Sequence, residues 1–223
     1  MFASLFPLTP DTLGRIQYQA ARTVFWEMIP TDAAVIAATG DVAFEKEAWL
    51  TSTLLSYGTC GFSIGHREGS ERRSQRALAT VLFCSRGRAP GVVNLPTAPV
   101  SPDADVLSSL FIDPGFAGTG LEPILLDAAI MEIVGRESPA VEAFGRRPDL
   151  TEEQVAAMSP DVRVICENAD NIGLLEVPTL ESAGFRVGAD HPVLPRLRLY
   201  LPPQQGLLSV EAIDQLLAES SLV

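Results

Sequence analysis

The sequence is short of the residues that build most metal and covalent sites. Three cysteines, Cys60, Cys84 and Cys166, stand among 223 residues, an odd count with no C-x-x-C pair. A disulfide framework or thiolate zinc site is therefore not expected, and a reducing compartment fits best. Histidine occurs only as His66 and His191, so an imidazole site would need both, and no metal is expected. Basic charge is scarce too: 16 Lys and Arg against 28 Asp and Glu give a net charge of -12. Affinity for nucleic acid is built on cations that neutralise phosphates, so nucleic acid is not an expected partner. No run approaches the ~20 apolar residues of a membrane span. The opening MFASLFPLTPDTLGR lacks the basic and apolar regions of a signal peptide. The expectation is a cytoplasmic protein without a membrane partner.

What is plentiful is apolar material, 47 % of the chain, which argues for a packed core and against disorder. The length suits one large domain or a domain with an appendage. The pattern predicts strands over residues 4–9, 23–28, 57–65, 77–85, 105–112, 140–145, 185–187 and 196–201. It predicts helices over 11–22, 41–55 and 121–134, and a short one within 171–182 that ends at Gly184. Residues 87–102 read as irregular, 146–160 as a polar insertion with one helical turn from Thr151, and 162–166 as extended. The alternation is irregular, which predicts an α/β chain with a mixed sheet. Past Pro202-Pro203, Val210, Ile213, Leu216 and Leu217 make an apolar helix face capped by Ser209. That helix either docks on its own domain (residues 1–201) or packs on a second subunit, so a homodimer stays open.

One unit has the form strand, glycine turn, helix: DVLSSLFID, then PGFAGTG, then LEPILLDAAIMEIVG. A helix N-terminus after such a turn gathers free N–H groups and positive potential, and so can hold a pyrophosphate. Taken alone the signal is weak. A Gly-x-Gly turn often only closes a tight connection, no G-K-[ST] follows, and the full G-x-G-x-x-G is missing.

The run from SYGTCGF through PVSPDADVLSSLFIDPGFAGTGLEPILLDAAI, AVEAFG and LESAGFRVGADHPVLPRLRLYL resembles the GNAT acetyltransferases, in particular an actinobacterial subgroup. The resemblance covers residues 4–201. It implies a mixed, mostly antiparallel seven-stranded sheet, flanked by helices and splayed between its fourth and fifth strands, with acetyl-CoA in the splay. It further implies pantetheine contacts at Phe111 and Ile112, and pyrophosphate contacts along Ala117, Gly118, Thr119, Gly120, Leu121 and Glu122. The acceptor would be a small-molecule amine or a protein amino group. The family pattern [Arg/Gln]-x-x-Gly-x-[Gly/Ala] is met here by Ala117 at its first position, Gly120 at its centre and Glu122 at its last. A carboxylate beside a pyrophosphate is unfavourable, whereas in an empty loop Glu122 favours the helix dipole. A catalytically degenerate binding or assembly module is therefore the alternative reading, and transfer of a longer acyl group, or from a donor other than CoA, is a third.

Amine acetylation needs a base, a proton donor for the thiolate and a donor to the carbonyl oxygen. Glu142 on the fifth strand is the candidate base, on the expectation that partial burial raises its pKa; the competing reading pairs it with Arg146 or Arg147. Glu167 and Asn168 are weaker candidates. The family's usual tyrosine acid falls at Leu180, Tyr200 lies too late to replace it, and His191 beside Pro192 reads as structural. Arg67, Arg72, Arg73 and Arg76 read as a solvated hairpin tip, with an acidic partner or substrate as the sharper alternative.

Overall fold

The computed structural model describes residues 3–66, 76–204, 206–208 and 210–219. The tip with Arg67, Arg72 and Arg73, and the cap Ser209, lie outside the described residues. Eight strands are present among them: β1 (Ala3–Pro7), β2 (Gly61–His66), β3 (Ala79–Ser85), β4 (Ala104–Ile112), β5 (Ala140–Arg146), β6 (Leu175–Glu176), β7 (Arg186–Ala189) and β8 (Arg196–Tyr200). They form one sheet in the order β1-β2-β3-β4-β5-β8-β7, with β6 beside the outer end of β5. The pairs are antiparallel except β4–β5 and β5–β6. The expected seven strands are all there, and the eighth is the two-residue β6.

The helices are α1 (Pro30–Thr39), α2 (Val42–Tyr57), α3 (Leu121–Val134), α4 (Glu152–Ala156), α5 (Pro160–Glu167), α6 (Ala169–Ile172), α7 (Val177–Ser182) and α8 (Val210–Glu219). Asp41 caps α2 by accepting from the N–H groups of Ala43 and Phe44, one route to satisfying the orphan donors of a helix start. Thr151 and Gln154 form a capping box on α4, where a helical turn was expected. None of these helices is long and apolar enough to cross a membrane.

Helix α3 carries apolar residues around most of its circumference, because it is covered twice. One side packs on the sheet against Val81, Leu107, Val141 and Ala143. Ile213 and Leu217 of α8 belong to the same cluster, and Asp127 of α3 accepts from the N–H of Leu208. The C-terminal helix therefore docks on its own chain. A second apolar cluster fills the opposite face of the sheet, where Trp26, Val92, Leu95, Ile165, Ile172 and Leu194 close over Val106, Ala140 and Phe144.

Three local readings need correction. Residues 23–28 are not a strand: Met28 N–H bonds back to the Val24 carbonyl, and Trp26 is buried with its indole N–H on the Ile172 carbonyl. The β-branched and aromatic residues there signal burial rather than pairing. Residues 11–22 are two single 3-10 turns, Leu13–Arg15 and Ala20–Arg22. The Gln17 side-chain oxygen takes the N–H groups of Gln19 and Ala20, and so competes with a continuous helix. Residues 162–166 lie in α5, opened by Ser159, which accepts from Val162 N–H, and by Pro160 in the first turn.

Candidate functional site

Strands β4 and β5 run parallel only from Ala104–Leu107 beside Ala140–Ala143, and then part. Against β3 the register slips between Leu82 and Phe83, so that Leu82 faces Ser109 while Phe83 faces Leu107. The extra residue, Ser108, bulges β4 where the strands diverge. Bulges bend a strand and raise its twist, which turns the outer half of β4 away from β5. The opening is entered by the segment after α6: the Leu110 N–H donates to the Gly173 carbonyl at 2.9 Å, and β6 pairs with Gly145 and Arg146. Gly173 is obligatory there, with a φ of +66° and the Phe111 ring 2.7 Å from where a Cβ would stand.

A cleft of about 700 Å³ lies in this opening. Leu110, Phe111 and Ile112 of β4 line it, with Leu175, Glu176 and Thr179 across from them. Asp113, Pro114, Ala117 and Glu122 line the end towards α3, and Gln17, Tyr18 and Gln19 form a further edge. Four of the expected contact residues, Phe111, Ile112, Ala117 and Glu122, thus share one cleft. Gly118, Thr119, Gly120 and Leu121 connect its end to α3 without lining it. Gly118 and Gly120 hold φ values of +72° and +83° with nothing within 4 Å of a notional Cβ. They are glycines for backbone conformation, not for close packing. Gly120 is the N-cap of α3 and no side chain caps that helix, while Pro123 supplies no N–H to its first turn. The N-terminus thus offers donors near the cleft, but Glu122 contributes a carboxylate to the lining.

Glu142 is elsewhere. It sits opposite Val106 and Arg198, within the stretch where β4 and β5 are still paired, and it does not line the cleft. Its side chain is 2 % exposed. Ser101 donates its N–H at 2.9 Å and its hydroxyl at 2.6 Å; Arg198 donates at 3.0 Å, and Arg196 stands 3.4 Å away. Burial alone would raise this pKa, but the bonds from Ser101 and Arg198 and the Arg196 charge together bring it below the ordinary glutamate value. The expected raised pKa is therefore corrected to a lowered one. The arginines that neutralise Glu142 come from β8, not from positions 146 and 147. Arg146 pairs instead with Glu176 at 3.0 Å across the cleft wall, and Arg147 with Asp190 at 2.8 Å.

Glu167 and Asn168 are exposed at the end of α5 and outside the lining. Leu180 is fully buried. Tyr200 is exposed with the Arg198 guanidinium 4.6 Å from its ring centre. His191 Nδ1 accepts from the N–H groups of Val193 and Leu194, and partial burial lowers its pKa, against the opposing pull of Asp190. It staples a turn, as its place beside Pro192 suggested.

Sequence reasoning missed the other edge of the cleft. Gln17 is held by Asp113, to which its Nε2 donates at 2.6 Å, and its backbone N–H donates to Thr80 Oγ1 at 3.0 Å. Gln19 donates to the Asn171 carbonyl. These contacts join residues about 60 to 150 positions apart, and the only local hint was a polar QYQ between apolar flanks.

No protein-family profile matches the chain, and no curated protein matches it in sequence. Solved structures do match in shape. A provisionally assigned acetyltransferase from Acinetobacter baylyi ADP1 aligns over 90 % of this chain and 94 % of its own, with a TM-score of 0.52 at 11 % identity. An N-acetyltransferase from Staphylococcus aureus Mu50 aligns over 90 % and 99 %, with a TM-score of 0.50 at 14 % identity. The parted β4–β5 pair, the bulge and the glycine turn into α3 make this chain a splayed α/β sheet protein. Its fold is that of the GNAT N-acetyltransferases.

Proposed function

We propose that this chain is an N-acetyltransferase that takes acetyl-CoA in the cleft between β4 and β5 and passes the acetyl group to an amine, on a small molecule or a protein. The observation that carries the reading is the continuity of that cleft from the β4–β5 opening to the N-terminus of α3. Apolar Leu110, Phe111 and Ile112 suit a pantetheine arm, and the start of α3, which reaches the lining at Glu122 with the Gly118–Leu121 turn just behind it, suits a pyrophosphate.

In such a reaction the amine lone pair attacks the thioester carbonyl carbon, the C–S bond breaks, and the thiolate takes a proton. The incoming ammonium must lose one first. Glu142 is committed to Ser101, Arg198 and Arg196, so it serves as framework in this proposal. The carboxylates facing the cleft are Asp113, Glu122, Asp170 and Glu176, and deprotonation falls to one of these or to water among them.

A second reading, a GNAT-fold binding module without transferase activity, is favoured by two observations. Glu122 lines the cleft at its phosphate end, and the Leu110 N–H is already engaged by Gly173. Titration calorimetry with acetyl-CoA, with CoA beside it, separates the two. Micromolar binding supports the transferase. No heat at millimolar ligand, with binding restored by Ala117→Arg and Glu122→Gly together, supports the module.

A further inference from the structure

We propose that the cleft takes an amine which also carries an anionic group, a carboxylate or phosphate, and that Tyr18, Arg22 and Arg76 hold that group. Tyr18 lines the cleft yet is 52 % exposed. Its backbone is fixed on both sides, by the Gln17 oxygen on Gln19 N–H and by Gln19 on Asn171. Two guanidiniums face its ring: Arg22 with its Cζ 5.1 Å from the centroid and Arg76 at 5.6 Å. Arg76 also donates to the Ile16 carbonyl, which ties it to the same edge.

Neither arginine has a carboxylate within ion-pair distance among the described residues. The arrangement keeps two exposed forked donors around one aromatic ring, and such forks match carboxylate and phosphate. The two arginines stand outside the lining, behind Tyr18, and the lining itself has the opposite sign, with Asp113, Glu122, Asp170 and Glu176 against Arg146 alone. Charge thus changes sign from the cleft to its Tyr18 edge, and a ligand with both charges spans the two. Glycine, alanine and O-phosphoethanolamine are minimal examples.

The name acceptor rests on the transferase reading, but the binding does not, so the test leaves CoA out. Binding of alanine and O-phosphoethanolamine is measured by ligand-observed NMR against alaninamide and ethanolamine, which keep the amine and lose the anion. The pairs also distinguish carboxylate from phosphate preference. Wild type should favour the anionic member of at least one pair. Arg22→Ala with Arg76→Ala should weaken it by about tenfold or more, the scale of a lost charge-assisted hydrogen bond, and leave the capped amines unchanged. Both arginines are exposed, and an unchanged melting temperature confirms that the variant is folded. Equal binding of anionic and capped amines overturns the proposal. So does the absence of binding at tens of millimolar, or a double variant that binds the anionic amines as wild type does. A further arm repeats the titration with acetyl-CoA: a variant that loses acetyl-CoA and keeps the amine assigns the arginines to the nucleotide, and the proposal fails.

Discussion

Replacing Glu142 by alanine separates a framework carboxylate from a catalytic one. In the folded chain this side chain answers two guanidiniums that are themselves 13 % and 15 % exposed, and it accepts both donors of Ser101. Removing one partner of a buried ion pair leaves the other uncompensated, a loss of about 3–5 kcal/mol. Asp103 still answers Arg198 at 2.7 Å, which places the expectation near the lower end, at ~3 kcal/mol. For a chain of this size each kcal/mol moves the midpoint by about 2–4 °C, so thermal unfolding followed by circular dichroism should show a fall of at least ~6 °C. The pH dependence adds a second readout. The folded pKa lies below its ordinary value of 4.5. The unfolded state therefore binds the proton more readily, and the stabilisation is present above about pH 4.5 and lost as pH falls through the folded pKa. The Glu142→Ala variant should lose that part of the acid slope, so its deficit narrows in acid. A midpoint within ~2 °C of wild type at pH 7, or a deficit independent of pH, would refute the reasoning and return Glu142 to the list of candidate bases.

The buried Lys46–Glu27 pair should behave as a unit: Lys46→Met alone should cost about 3–5 kcal/mol, because Glu27 Oε2 already lacks a hydrogen-bond partner, and Lys46→Met with Glu27→Leu should recover most of it in a denaturant-melt double-mutant cycle. Gly173→Ala should lower stability by at least ~1 kcal/mol through its positive φ alone, and should also disturb ligand binding because the Cβ meets the Phe111 ring; both are read by calorimetry on one sample. Titration of thiols with a chromogenic disulfide at pH 8 should label Cys166 first, since Cys84 is fully buried with its pKa raised and burial pushes Cys60 up to about 12. Leu217→Asp should destabilise the whole domain, with one cooperative transition at lower temperature, because that side chain is buried in the cluster built around α3.

The sheet was legible because its strands announce themselves locally. Residues 77–85 are apolar but for Thr80 and Ser85, and 105–112 carry Val106, Leu107, Leu110, Phe111 and Ile112; β3 and β4 are buried on both faces at most positions. Helix α3 showed its start through Gly120 and Pro123. The errors fell where a side chain overruled the local pattern. Gln17 draws off the N–H groups that a helix over residues 11–22 would need. Trp26 is held by a carbonyl 146 positions away. Helix α1 was not legible because it opens on Pro30 straight after an apolar, aromatic run, and proline in a first turn opens a helix as readily as it ends a strand.

The site was legible only along one strand and one turn. Phe111, Ile112, Ala117 and Glu122 are close in sequence, and they stay together in the cleft. The cleft's other walls come from residues 17–19, 146 and 170–179, which converge through the bulge at Ser108 and the entry of Gly173 into the parted sheet. Glu142 shows what carboxylate position alone leaves open. A glutamate on the fifth strand can face the opening or the closed end, depending on where the strands separate. Here the bulge sets the separation after Leu107, so Glu142 opposite Val106 falls on the closed side by one pair. Its companions, Ser101 and Arg198, lie 41 and 56 positions away. A base and a buried counter-ion then read the same in sequence, and only the point of divergence between two strands tells them apart.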